Sequence, residues 1–265
     1  MDVKAFKFNQ NDIYLVPIGD IHLGDTAFTA ESRKKLIGYV KWIKETPNAY
    51  AFLMGDLINC ATLNSPSNPF CEDVPNVNQQ MNQVVEILTP IKHKILGAIT
   101  GNHEERLEKY SGYNPTGSIC QSLGIYYFKS SAVVILRLGC RKGKNSRASF
   151  IGYFHHTTGG GSTIGGKMNR SAKLREMVSN CDFYCGGHNH SLSCSHNVIF
   201  KVNETTEKIE HFRQMIVTTG GYLDYPDSYA EAKMLPPLKV GSPRLHLFIK
   251  RDAADEVKKD IHVSL

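Results

Sequence analysis

Short apolar runs and amphipathic stretches alternate from the start of the chain. Residues 13–18 form an apolar run that stops at Gly19-Asp20, and 50–54 form a second that stops at Gly55-Asp56. A third, 95–100, ends at Gly101-Asn102-His103. Runs of this length bounded by turn residues predict buried strands. Between them, 31–44 places Leu36, Ile37, Val40 and Ile43 at the 3.6-residue period of a helix, and 80–88 predicts another.

Beyond Gly124 the pattern turns to strands. The runs 133–138 and 149–154 predict neighbours joined by a basic turn, 141–147, and a short strand at 183–185 runs into Gly186-Gly187-His188. Further strands are predicted at 198–202, 215–219 and 245–249. No repeat and no linker divides the chain, so residues 1–265 read as one domain. Strands and helices in this order predict an α/β fold with two packed mixed β-sheets flanked by helices.

Composition narrows the class. Hydrophobic residues make up 41% and charged residues 21%, enough for a core without a disulfide framework. The apolar runs are too short to span a bilayer, and residues 1–10 have no signal-peptide core, so a cytoplasmic protein (in a bacterium or a phage-infected host cell) with no membrane partner is expected. Seven cysteines, an odd number at irregular spacing, read as reduced thiols. Cys181, Cys185 and Cys194 lack the second pair of a zinc motif and read as small buried hydrophobes. Lys plus Arg is 31 against 25 for Asp plus Glu, a net charge of +6 that favours anionic substrates.

Five strand ends run directly into polar clusters: Gly19-Asp20-Ile21-His22, Gly55-Asp56, Gly101-Asn102-His103-Glu104, His155-His156 and Gly187-His188-Asn189-His190. Ligands of open α/β sheets gather beyond the carboxyl ends of strands, so five loops can build one site. Each cluster alone has an ordinary reading as well. Gly-Asp is a common turn, and Asn102 could cap a helix starting near Glu104. His93, His196, His211, His246 and His262 lie outside these clusters and read as surface or core residues.

Taken in order, Asp-x-His, Gly-Asp, Gly-Asn-His, His and Gly-His-x-His resemble the calcineurin-like metallophosphoesterase superfamily, over Asp20 to His190. The resemblance implies a four-layer α/β/β/α sandwich. It implies that Asp20, His22 and His190 hold a first metal, and that Asn102, His188 and His156 hold a second, with His155 as the alternative. Asp56 would bridge the two, and His103 would protonate the leaving oxygen or stabilise its charge, oriented by Asp20 or Glu104. Imidazole, carboxylate and amide ligands suit two divalent ions of manganese, the working expectation, or of iron, zinc, cobalt or nickel. Such a pair clamps a phosphoryl group for in-line displacement and lowers the pKa of a bridging water, so that a hydroxide attacks phosphorus.

The fourth motif departs from the family's usual His-Gly, because Thr157 follows His156. A glycine-rich run, 159–166, comes next, with Lys167 and Arg170 as candidate substrate-binding cations; it resembles continuations in phage and bacterial phosphoesterases. Gly166-Lys167-Met168 lacks the ending of a P-loop. Gly55-Asp56-Leu57 lacks the Asp-Arg-Gly element of protein phosphatases. The expected activity is therefore a phosphodiesterase or nuclease acting on DNA, RNA or nucleotides, with a phosphomonoesterase as the alternative and a metal-free scaffold as the non-enzymatic one. The segment 220–240 reads as substrate rim, dimer contact or packing, and oligomeric state is not legible.

Overall fold

The computed structural model describes residues 1–63, 65, 72–74, 76–139, 147–159, 161, 163–251 and 257–265. Most of the 62–75 loop, the basic turn through residue 146, Cys71 and Cys140 lie outside them. Two mixed sheets face each other. The first has the order β1 (Asp2–Lys7), β5 (Ser131–Leu138), β6 (Ala148–His155), β7 (Phe183–Gly186), β9 (Lys208–Thr219), β8 (Leu192–Asn203). The second has the order β11 (Val257–Ser264), β10 (Arg244–Arg251), β2 (Asp12–Ile18), β3 (Ala49–Leu53), β4 (Ile95–Ala98).

The near-continuous apolar runs have a physical reason. In β2, Ile13 and Leu15 point into the core between the sheets, whereas Val16 and Ile18 point to the helical layer. In β3, Phe52 faces the other sheet and Ala51 and Leu53 face the helices. Strands buried on both faces carry no polar alternation. The helical layer on this side is α1 (Ala30–Glu45), α2 (Val77–Leu88) and α4 (Pro115–Leu123), packed through Leu36, Val40, Val84 and Ile119. The Thr29 hydroxyl caps α1 by accepting from Ser32 N, and Asn76 Oδ1 caps α2 by accepting from Gln79 N. Short α6 (Leu174–Met177) covers the opposite face through Leu174 against Tyr153 and Tyr184. The four expected layers are present.

The pattern predicted neither α4 nor α6, nor the following three elements. β1 pairs in parallel with β5, and its alternation of Lys4 with Ala5 and Phe6 is that of an edge strand. β11 pairs antiparallel with β10. The glycine-rich run is in part helical: α5 (Ile164–Ala172) includes Gly165, Gly166, Lys167 and Arg170. Thr163 Oγ1 accepts from Gly166 N and caps that first turn, offsetting the weak helix propensity of glycine. Among the described residues no helix is long and apolar enough to cross a membrane.

Candidate metal centre

All five polar clusters sit at one end of the sandwich, beyond the carboxyl ends of β2, β3, β4, β6 and β7. The first two loops run side by side, because Asp20 N donates to Gly55 O (3.0 Å) and Ile21 N donates to Asp56 O (2.8 Å). Asp20, His22, Asp56, Thr157, His188 and His190 all have positive φ, between 49° and 74°. Non-glycine residues avoid that region, at about 1–3 kcal/mol each. At the Asp and His positions the strain turns the side chain back over the strand ends toward a common centre, whereas Thr157 Oγ1 donates to Gly187 O.

The donors form three groups, each with ligand atoms within 4.8 Å of one another: Asp20, His22 and His190; His22, Asp56 and His103; Asp56, His156 and His188. His22 Nε2 lies 3.1 Å from His190 Nε2, and His190 Nε2 lies 3.4 Å from Asp20 Oδ1. On the other side, Asn102 Oδ1 is 2.6 Å from His188 Nδ1 and 3.1 Å from His156 Nε2. Asp56 Oδ2 stands between the halves, 3.1 Å from His156 Nε2, 3.7 Å from His22 Nε2 and 4.0 Å from His103 Nε2.

Several features fit divalent cations. The imidazole nitrogens of His22 and His190 face each other at 3.1 Å, a pairing that a cation held between them would satisfy. Burial, with neighbouring imidazoles in support, holds the pKa of His22, His188 and His190 below the usual value, His190 at about 3, so these rings are neutral as ligands must be. Burial also raises Asp20 to about 8, the mark of a carboxylate lacking a compensating charge. Burial alone would raise Asp56 too, but His156 and His103 hold it well below the carboxylate range. His156 Nδ1 donates to Met54 O at 2.7 Å, which aims Nε2 at the centre.

The structure turns the two adjacent histidines of the fourth motif in different directions. His156 joins the cluster; His155 stays on β6, where its Nδ1 accepts from Thr157 N at 2.7 Å. Lys167 is buried beside the site, close enough to depress His190, and its carbonyl accepts from Asn189 Nδ2 at 3.5 Å. Arg170 instead lies over the Gly159 backbone, where a Cβ would sit 3.2 Å from its Nη2. His93, His196, His211, His246 and His262 belong to none of the three groups. Cys60, Cys120, Cys181 and Cys185 are buried free thiols.

Two sequence expectations need correction. Asn102 does not cap α3 (Asn102–Ser111); Gly101 does, leaving the Asn102 amide free to face the histidines. Neither Asp20 nor Glu104 orients His103. Its Nδ1 donates to Asn59 O at 2.7 Å, and its backbone N–H donates to Asp56 Oδ1 at 2.9 Å.

Glu104 has a different task that only the tertiary structure reveals. Fully buried, its carboxylate accepts from Asp56 N (3.0 Å), Leu57 N (2.6 Å), Ile58 N (3.3 Å) and Gly101 N (3.1 Å). It thus clamps the second and third loops together. Gly101 permits the approach: a Cβ there would meet Asp56 N and Oδ1 at 2.1 Å. Glu104→Ala strands several buried N–H groups at about 1–3 kcal/mol each, so a loss of at least about 3 kcal/mol is expected in urea unfolding. Glu104→Gln, which keeps one acceptor oxygen, should lose less.

The segment after β9 closes the wall behind Asp20. Tyr222 N donates to Asp20 O (2.9 Å), and a Cβ on Gly221 would press on Asp20 and His190 at 3.2–3.3 Å. Tyr222 itself is buried, its hydroxyl bonded to Ser242 Oγ, so this tyrosine serves packing.

Comparison with known proteins gives a family. The model described as Calcineurin-like phosphoesterase matches residues 15–192. Among solved structures, Vps29 of Chaetomium thermophilum is similar at 10% identity and TM-score 0.41, over 95% of this chain and 97% of that one. NAD nucleotidase (NadN) of Haemophilus influenzae is similar at 10% identity and TM-score 0.37, over 95% of this chain and 49% of that one. No curated protein matches the sequence.

Proposed function

The chain belongs to the calcineurin-like phosphoesterase family, and on that premise we propose that it hydrolyses phosphodiesters of nucleic acid or nucleotides with the help of two divalent ions. One observation carries the two-ion reading: Asp56 Oδ2 stands between His22 and His156, the inner members of two donor groups. Asp20, His22 and His190 would hold one ion, Asn102, His156 and His188 the other, with Asp56 shared. Such a pair supplies Lewis acidity and an activated water. Manganese is the proposed occupant, with iron, zinc, cobalt and nickel sharing the same ligand preferences.

His103 completes the machinery from the protein's side. With Nδ1 donating to Asn59 O, its Nε2 faces the centre and can give or share a proton with the leaving oxygen. Lys167, buried without a carboxylate partner among the described residues, offers a positive charge to a phosphate oxygen near His190. The net charge of +6 is compatible with a polyanionic substrate.

The deciding assay strips the metal, restores Mn²⁺ and compares bis-p-nitrophenyl phosphate with p-nitrophenyl phosphate. Metal-dependent turnover of the diester, followed by cleavage of single- or double-stranded DNA or RNA, is the expected result. Turnover of the monoester alone would replace the diesterase with a phosphomonoesterase. Silence on both, with no metal retained, would leave a scaffold.

A further inference from the structure

The outer part of the β8–β9 hairpin carries a face that no element among the described residues covers. Near its base, Met215 pairs with His196 and closes over the core between the sheets. Farther out, the same face continues as Val198, Phe200 and Val202 on β8, opposite Arg213, His211 and Ile209 on β9. Val198, Phe200, Val202 and Ile209 are 53%, 69%, 74% and 66% exposed. Single exposed apolar residues are ordinary, but a contiguous row along one hairpin marks an interaction site.

The backbone points the same way. β8 is the terminal strand of its sheet, so one row of its N–H and C=O groups has no ladder partner among the described residues. Edge strands are usually protected by proline, a bulge or outward charge. This one pairs with β9 in unbroken register over twelve residues and contains no proline. Its one lysine, Lys201, lies over Phe212 on the other face, 3.5 Å from the ring centroid.

We propose that β8 pairs with β8 of a second copy of this chain, antiparallel about a two-fold axis at Phe200, joining two six-stranded sheets into one. The occupant is argued from the pattern, which is its own complement. On the exposed face the row reads His196, Val198, Phe200 and Val202, and Glu204 is the first residue past the strand end. Turned about Phe200, it sets Phe200 against Phe200 and each Val198 against Val202, with each His196 against the turn that begins at Glu204. The other face sets Ile199 against Lys201 and Asn197 against Asn203, so no like charges oppose each other. An unrelated strand would satisfy the backbone but not this symmetry.

The contact runs along the strand edge: Phe200 meets Phe200 and Val198 meets Val202 side against side, while Ile209, one strand in, stays outside it.

The test is the mass of the full chain by light scattering across a concentration series. A dimer is expected for the wild type, halved in mass by Phe200→Glu, which sets two carboxylates face to face on the axis while hydrolysis stays unchanged. Register is read separately by oxidative cross-linking. Phe200→Cys should couple to itself. Val198→Cys and Val202→Cys should couple when mixed and far less when alone, against a wild-type control for the native thiols. A wild type that stays monomeric throughout would overturn the proposal and leave the face to a different protein. A dimer that persists in Phe200→Glu, or a cross-linking pattern without the 198–202 preference, would overturn it equally.

Discussion

Replacing Asp56 by asparagine should remove bound metal and hydrolysis together. The expectation rests on the position of one oxygen. Asp56 Oδ2 lies within 3.1–4.0 Å of three imidazoles from different loops, and Oδ1 is held by the His103 backbone N–H. The amide would keep the shape and the Oδ1 hydrogen bond, but it would withdraw the negative charge shared by both proposed ions. Removing an outer partner of a metal ligand typically costs 10–100-fold in metal affinity or activity, so losing the proposed bridge should exceed roughly 100-fold. Metal per chain by elemental analysis, turnover of bis-p-nitrophenyl phosphate and far-ultraviolet circular dichroism together decide the matter. A folded variant that retains two tightly held ions and full turnover would refute the bridge.

His103→Ala should do the opposite to the metal: both ions stay, and hydrolysis slows by roughly 10²–10⁴-fold, the usual range for acid–base catalysis. The ring is pinned at Nδ1 by Asn59 O, and its Nε2 is 4.0 Å from Asp56 Oδ2, farther than His22 or His156. That geometry suits a proton donor beside the ions. Because His103 also falls within one donor group, loss of metal in the variant would reassign it as a ligand. The leaving group supplies the second readout. A nitrophenolate departs without a proton, so the loss on bis-p-nitrophenyl phosphate should be smaller than on a dinucleotide, whose leaving group is an alkoxide. Equal losses on both would argue against an acid at this position.

The contrast between His103 and Glu104 shows where sequence reading stops. Both residues follow Asn102 in one motif, and a carboxylate next to a catalytic histidine invites the idea that it orients the ring. In the fold, α3 starts at Asn102, so adjacent side chains leave the helix about 100° apart. His103 goes to the centre, while Glu104 goes under the second loop to collect four backbone N–H groups. The same limit applied to His155 and His156. Adjacent positions at a strand end point to opposite sides, but which one faces the site depends on the register of β6 against β5 and β7.

By itself, the sequence determined the buried strands, the two main helices of one flank and the loops from which ligand candidates come. Those are local properties: apolar runs, a 3.6-residue period, and polar residues beside glycine at the ends of runs. The β1 and β11 edge strands, the clamp made by Glu104 and the Gly221 wall behind Asp20 were decided only by tertiary structure. Three of them depend on a partner far along the chain, β5 for β1, Asp56 for Glu104 and Asp20 for Gly221, and β11 depends on the strand just before it, β10. The α5 turn is local, and there a threonine cap outweighed two glycines. Periodicity records which face of a segment is buried, but not which distant residue lies against it.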